Sequence, residues 1–347
     1  MNPFMKYPGG KSKEAPLVLK YMPKNTDRYI EPFVGGGSIF YALEICPSLI
    51  NDKSKDLYNL YSLIKKQDKK FKKYLENIDD LWRHIEHNSH ANSDAFETII
   101  DSKDYDTFYE SAYLRKKESI KKIERKGTKI SDIDKSKIEI TARKTAIYMC
   151  LRDKYNHDKV DKALRAALFF FLREYCYSSM FRFASNGDFN VPYGGMSYNQ
   201  KYLTSKINYI FSEQMANIMS KTTICNKDFA AFMDSIELAG NDFIFLDPPY
   251  DSDFSTYDKN TFGKKEQIRL RDYLKSVPSK WMLIIKKTDF IYDLYKDFYV
   301  FEYDMNYVVS FKNRNEKTAK HLLITNYSLI EEGTLWVGGG GLNQEAL

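Results

Sequence analysis

The apolar run at 243–246 passes without a spacer into Asp247, Pro248, Pro249 and Tyr250. Turn formers Gly240, Asn241 and Asp242 precede it, so this stretch predicts a short buried strand that stops abruptly. The prolines offer no N–H to continue a ladder, and their rings stiffen the exit. A carboxylate, a backbone carbonyl and an aromatic face are thereby presented together at the carboxyl end of a strand, where open α/β sheets place ligands. That set suits a planar amine. Two N–H groups can be accepted by Asp247 and the Pro248 carbonyl while Tyr250 stacks on the ring. Both bonds draw the nitrogen lone pair out of conjugation. Taken alone, the same four residues also read as a strand end with a structural proline turn.

A second strand-loop-helix signal lies near the start of the chain. Residues 28–30 lead into Glu31, Pro32, Phe33, Val34, Gly35, Gly36 and Gly37, and 38–45 is apolar at helical spacing. A short strand over 47–50 ends at Asn51 and Asp52. Strand, loop, helix and a strand ending in an acid form the opening of a doubly wound nucleotide-binding sheet. Further strands are expected at 224–229, 243–250, 281–285 and 322–326. Between them, 53–162 is Lys-rich and predicts long charged helices, for example over 64–78 and 113–125; 163–176 resumes an apolar pattern and 181–195 is dense in turn formers. The expected class is α/β, with a sheet domain split around a mostly helical insert. Its parts would be 1–54, the insert 55–200 with a hairpin near 181–195, and 201–330; 331–347, with four consecutive glycines, reads as a flexible tail.

With 347 residues, 43% hydrophobic and 15% aromatic, the chain can bury a sizeable core and is not of disordered composition. A net charge of +6 fits a polyanionic partner but falls short of a small, strongly basic nucleic-acid-binding domain. Cysteines 46, 150, 176 and 225 form no CxxC pair and have no histidine spacing suited to zinc, and the five histidines form no metal or general-base pattern. His157 and His321 read as structural. No apolar run reaches membrane-spanning length and no signal peptide opens the chain, so a cytoplasmic protein without a membrane partner is expected.

The glycine triplet lets a backbone approach a ligand closely. Its spacing is not that of a dinucleotide fingerprint, because Phe40 occupies the third required position, so a smaller adenosine-bearing cofactor without pyrophosphate fits better. Lys6, Tyr7, Pro8, Gly9, Gly10, Lys11 and Ser12 end like a phosphate loop, yet Met5 stands where its first glycine belongs. The alternatives are an exposed lysine in a turn, or a turn that brings Lys11 onto a ligand carboxylate and Tyr7 onto its apolar part. Asp52 reads either as a surface acid or as an acceptor for a ribose hydroxyl pair.

In this order, KYPGGK, EPFVGGG, the pair Asn51 and Asp52, and FLDPPY resemble the DNA adenine N6 methyltransferases of the D12, or alpha, class, the group that includes the Dam enzymes. The resemblance runs from Lys6 to about Tyr327 and gives no recognisable signal over 55–165. It implies S-adenosylmethionine as methyl donor, with no metal, and double-stranded DNA as substrate, the target adenine being turned out of the duplex. Within it, Asp247, Pro248, Pro249 and Tyr250 are implied to be catalytic. Tyr7, Gly10 and Lys11 would hold the methionine end, Glu31, Pro32, Phe33, Gly35 and Gly37 would flank it, Asp52 would bind the ribose, and Asp228 and Phe229 would meet the adenine. The segment 181–194 is similar to the family's DNA hairpin, although the asparagine expected there is either replaced by Ala184 or shifted to Asn186. Arg182, Asn186 and Asn190 there, with Lys312 and Arg314 in a later basic loop, are the implied DNA contacts, and a restriction endonuclease is an implied functional companion. DPPY also occurs in methyltransferases acting on RNA or on protein glutamine, and a nonenzymatic nucleic-acid-binding protein is the rival from another class.

Overall fold

The computed structural model describes residues 1–45, 47–86, 99–100, 102–125, 127, 131–180, 182–249, 262–306 and 318–329. Its frame is a seven-stranded sheet in the order β3-β2-β1-β4-β5-β7-β6. The strands are β1 (Arg28–Glu31), β2 (Ser48–Asn51), β3 (Thr222–Cys225), β4 (Asp242–Leu246), β5 (Lys280–Lys286), β6 (Tyr299–Asn306) and β7 (Thr318–Thr325). The first five run parallel, and β7 enters antiparallel between β5 and β6. The strand order reverses between β1 and β4, which pair Tyr29 with Phe243, so their carboxyl ends open a crevice at the switch point.

Local chemistry sets these elements. Every residue of β4 is buried, as expected of a central parallel strand covered on both faces. Helix α1 (Ala15–Tyr21) starts with proline in its first turn, and α2 (Ser38–Leu43) follows the glycine loop. The expected helix over 64–78 is interrupted. Helix α3 (Lys55–Lys65) ends before Gln67, which has φ 48°, and Asp68 then caps α4 (Lys69–His84) by accepting from the Phe71 N–H at 2.8 Å. The stretch at 113–125 lies in α5 (Ser102–Glu124), which packs against α6 (Asp132–His157). The apolar 163–176 segment is α7 (Lys162–Tyr175), capped by Asp161. Helices α8 (Thr204–Ile210) and α9 (Glu213–Ser220) lead into β3, followed by α10 (Phe229–Asp234), α11 (Lys264–Lys275) and α12 (Asp289–Tyr295).

Further expectations change, and the strand placed at 243–250 ends at Leu246. The strand placed at 224–229 ends at Cys225, because the Asp228 side chain accepts from the Ala230 N–H and starts α10. Strand β6 had no counterpart in the expected pattern. One buried cluster runs from Tyr29 and Phe243 on one face of the sheet through Leu57, Phe71, Trp82, Ile147 and Phe169 of the helices, and a second covers the other face under α10, α11 and α12.

Candidate active site

At the switch point the chain presents three loops, and one amide joins them. The Asn51 side chain donates to the carbonyls of Pro32 and Lys227, each at 3.0 Å, and accepts from the Lys227 N–H at 2.9 Å. It therefore ties the exits of β1, β2 and β3 with bonds no carboxylate could reproduce, since two of the three require a donor. Asp52 follows. Its carboxylate accepts from the backbone N–H of Gly35 at 3.0 Å and of Ser54 at 2.8 Å, which fixes the glycine loop beside the end of β2.

Tyr7 lies directly on that loop. A Cβ at Gly36 would come within 2.6 Å of the Tyr7 Cβ, and one at Gly37, which has φ 73°, within 2.7 Å of the Tyr61 hydroxyl oxygen. The backbone here is packed to the limit that glycine permits. The fully buried Arg173 of α7 places its guanidinium carbon 4.9 Å from the Tyr7 ring centre and donates to the Lys6 carbonyl at 2.9 Å, fastening the amino-terminal loop to the helical part. Gly10 packs against Ser38, where a Cβ would meet the hydroxyl oxygen at 3.0 Å.

Asp247 emerges from β4 into this setting. Lys11, only 3% exposed, donates from Nζ to the Gly9 carbonyl at 2.8 Å and pairs with Asp247 Oδ1 at 2.7 Å. Burial pushes the Asp247 carboxyl above its ordinary value, against the pull of Lys11. Glu31 at the end of β1 is also buried and accepts from the Tyr29 hydroxyl at 2.8 Å; burial drives its carboxyl well up. Pro248 is buried, and the Pro249 carbonyl accepts from the side chain of Gln267 on α11 at 3.0 Å, so the proline exit is held from the far side. Tyr250, the last of the four DPPY residues, lies outside the described residues.

Phe33 and Phe229 stand 5.5 Å apart, and Phe262 closes an edge-on contact with Phe33 at 5.6 Å. Arg269 covers this aromatic group. Its guanidinium carbon is 4.6 Å from the Phe229 ring centre, and both of its terminal nitrogens bond the Asp228 carboxylate, whose pKa is lowered by that bond. Asn51, Arg173, Gln267 and Arg269 escaped the sequence reading as site residues. Only Asn51 sat in a motif; the other three are single polar residues in otherwise ordinary helices.

The turn-rich segment forms the expected hairpin. Asn186 accepts from the Asp188 N–H at 3.1 Å, Gly187 turns the chain at φ 87°, and Phe183 bridges Phe189. Asn156 of α6 donates to the Phe189 carbonyl at 3.1 Å and accepts from its N–H at 2.9 Å, docking the hairpin on the helix. Arg182 is exposed and donates from Nε to Asn190 Oδ1 at 3.1 Å, so both lie on the hairpin's outer rungs. Lys312, Arg314 and the 331–347 tail lie outside the described residues. Among the described residues no cluster of three or more His, Cys, Asp or Glu side chains could hold a metal ion.

The sequence matches the family model described as D12 class N6 adenine-specific DNA methyltransferase over residues 7–309. Similar proteins include Type II methyltransferase M.CviBI of Paramecium bursaria Chlorella virus NC1A, 29% identical over 94% of this chain and 100% of the relative. Type II methyltransferase M1.LlaDCHI of Lactococcus lactis subsp. cremoris is 26% identical over 94% and 96%, and a DNA adenine methylase of Serratia marcescens 25% identical over 85% and 86%. With the family model spanning both the glycine loop and the Asp247 strand exit, the chain belongs to the D12 class of N6 adenine-specific DNA methyltransferases.

Proposed function

We propose that the protein transfers a methyl group from S-adenosylmethionine to N6 of adenine in duplex DNA at one short sequence, acting on a base turned out of the helix. The carrying observation is the position of Asp247 at the end of β4, against Lys11 and beside the glycine loop. N6 lies in the pairing edge, so no side chain reaches it inside the stack.

The residues fit that cofactor class. The glycine loop under Tyr7 has no room for a side chain, as a backbone surface facing a ligand requires, and Asp52 and Glu31 bring acceptors to the ends of β2 and β1. Tyr7, Gly10, Lys11, Gly35 and Gly37 would hold the methionine end, Asp52 the ribose, and Phe33, Asp228 and Phe229 the adenine, with Arg269 steadying Asp228. Bound S-adenosylmethionine supplies a methyl group activated by sulfonium charge. Asp247 does the complementary work on the base. Lys11 occupies Oδ1, which leaves Oδ2 for one N–H of the amine, while the Pro248 carbonyl takes the other. Tyr250 would stack on the ring. Positioning and the electrostatics of two acceptors on a nitrogen gaining positive charge account for the catalysis, and the proton leaves after transfer.

Residues 55–200 serve as the DNA reader in this reading, with Arg182, Asn186 and Asn190 on the hairpin and the basic loop at Lys312 and Arg314 as backbone or base contacts. Helix α5 adds a partly exposed face on which Tyr109 and Tyr113 stack at 5.8 Å and Lys117 follows 6.0 Å from the Tyr113 ring. Relatives named Type II methyltransferases support a restriction endonuclease as companion, and DNA as substrate supports a cytoplasmic location. No helix among the described residues is long and apolar enough to cross a membrane.

The test is methyl incorporation from labelled S-adenosylmethionine into unmethylated duplex DNA, wild type beside Asp247→Ala, with modified positions mapped by sequencing. The expected result is N6-methyladenine at one short motif, lost in the variant. Cofactor binding without label in DNA would overturn the assignment.

A further inference from the structure

The exit from β4 brings two prolines in succession, and neither has an N–H. Hydrogen bonds can therefore hold the chain at 248 and 249 only through its carbonyls. Pro248 is buried, and its carbonyl is assigned above to the target amine. The Pro249 carbonyl accepts from Gln267 Nε2 at 3.0 Å. Gln267 is 0% exposed and stands near the start of α11, its own N–H donating to the Gly263 carbonyl at 3.1 Å. Gln267 Oε1 is buried and has no hydrogen-bond partner among the described residues. A methionine would fill this space without leaving an acceptor unmet, so the amide stands there against a cost, and the bond to Pro249 is what it gains. Helix α11 has other anchors. Leu270 and Leu274 are buried in the cluster that contains Phe229 and Trp281, and Arg269 bonds Asp228.

We propose that Gln267 is a positioning residue for methyl transfer: by holding the Pro249 carbonyl it fixes the direction of the Pro248 carbonyl, the second acceptor of the target amine. Each proline ring locks φ, and a residue that precedes proline is confined to extended backbone, so Asp247 and Pro248 have little freedom of their own. What remains is ψ of Pro249, and the bond from Gln267 removes it. With β4 paired on both sides at one end and the Pro249 carbonyl held at the other, the Pro248 carbonyl between them is aimed. Gln267 acts only through Pro249 and reaches neither cofactor nor base in this role. Its removal therefore leaves both binding steps in place and misdirects one acceptor at the moment of transfer.

This role rests on the Asp247 exit as the acceptor of the target amine, and the experiment separates the two. Gln267→Met and Gln267→Glu both keep the length of the side chain and lose the amide donor. They are compared with wild type and Asp247→Ala in the full chain by single-turnover methylation and by S-adenosylmethionine and duplex affinity. Two duplexes are used, one fully paired and one with an abasic site opposite the target adenine, where no pairing opposes extrusion. The expected result is transfer slowed about tenfold or more in Q267M and Q267E, with affinities within about threefold, and the same loss on both duplexes. Affinities that fall as far as the rate would mean a general loosening of α11, and a loss confined to the paired duplex would place the effect in extrusion; either overturns the proposal. Q267M at the wild-type rate beside an inactive D247A overturns the role of Gln267 alone, whereas an active D247A overturns the reading of the site as well. Should neither Gln267 variant fold, the amide serves the fold and not the site, and the proposal fails.

Discussion

In the proposed reaction Asp247 accepts an N–H, which its ionised form does best, yet burial raises its pKa. Activity should thus fall as pH drops through a value above that of an ordinary aspartate, near 3.9. Lys11 opposes burial from 2.7 Å away. Removing its charge in Lys11→Met lets the carboxyl rise further, and the acid limb of the kcat/KM profile should move to higher pH. The overall rate will drop too, since Lys11 also shapes the loop, so the position of the limb is the observable. An unmoved limb would remove Asp247 from the titration.

At the scale of elements, the contact between the glycine loop and the amino-terminal turn is decisive. Gly36→Ala sets its new Cβ against the Tyr7 Cβ, an atom that no rotamer change can move aside. We expect S-adenosylmethionine affinity to fall about tenfold or more by calorimetry, because separating the loops by even an ångström undoes a positioned site. Gly240→Ala, with nothing within 4 Å of its Cβ, should bind as wild type does; equal affinities in both would show that the close packing of the loop does not matter for the cofactor. These two loops were legible in the sequence because their glycines and prolines act locally, and β1, α2, β2 and β4 followed from apolar runs between turn formers. The break between α3 and α4 was less so: 64–78 keeps a helical composition throughout, and only Asp68 carries the capping chemistry. Strand β6 hid because it is an outer strand whose polar Glu302 and Asp304 interrupt the apolar pattern, so its pairing with β7 stabilises what the local pattern does not. Arg269, Gln267 and Arg173 could not be singled out, since nothing near them in sequence marks the loops they reach across the fold.

The whole molecule joins Lys-rich helices to a candidate active site at the sheet. If α5 lies along the DNA backbone, Lys117, Lys121 and Lys122, all exposed, displace counterions there. Changing the three to Gln should reduce the slope of log affinity against log salt by about 0.9 for each phosphate that is no longer neutralised, while leaving cofactor affinity alone. Fluorescence anisotropy of a labelled duplex over a salt series measures it, and an unchanged slope would assign that face to solvent.

The central pairing of the sheet has a further consequence. Strand β1 finds its partner β4 far along the chain, the Arg28–Asp242 ion pair spanning 214 residues. At about 5–20 residues per second, a ribosome releases β4 roughly 10–40 s after β1. During that interval β1 and β2 have emerged as apolar edges with no lid, and the fully buried Ile30 faces water. The nascent chain therefore depends on something to shelter that edge, either its own helices folding early or a chaperone. Synonymous changes that slow translation between 52 and 242 should lower the yield of active protein while the amino-acid sequence stays the same.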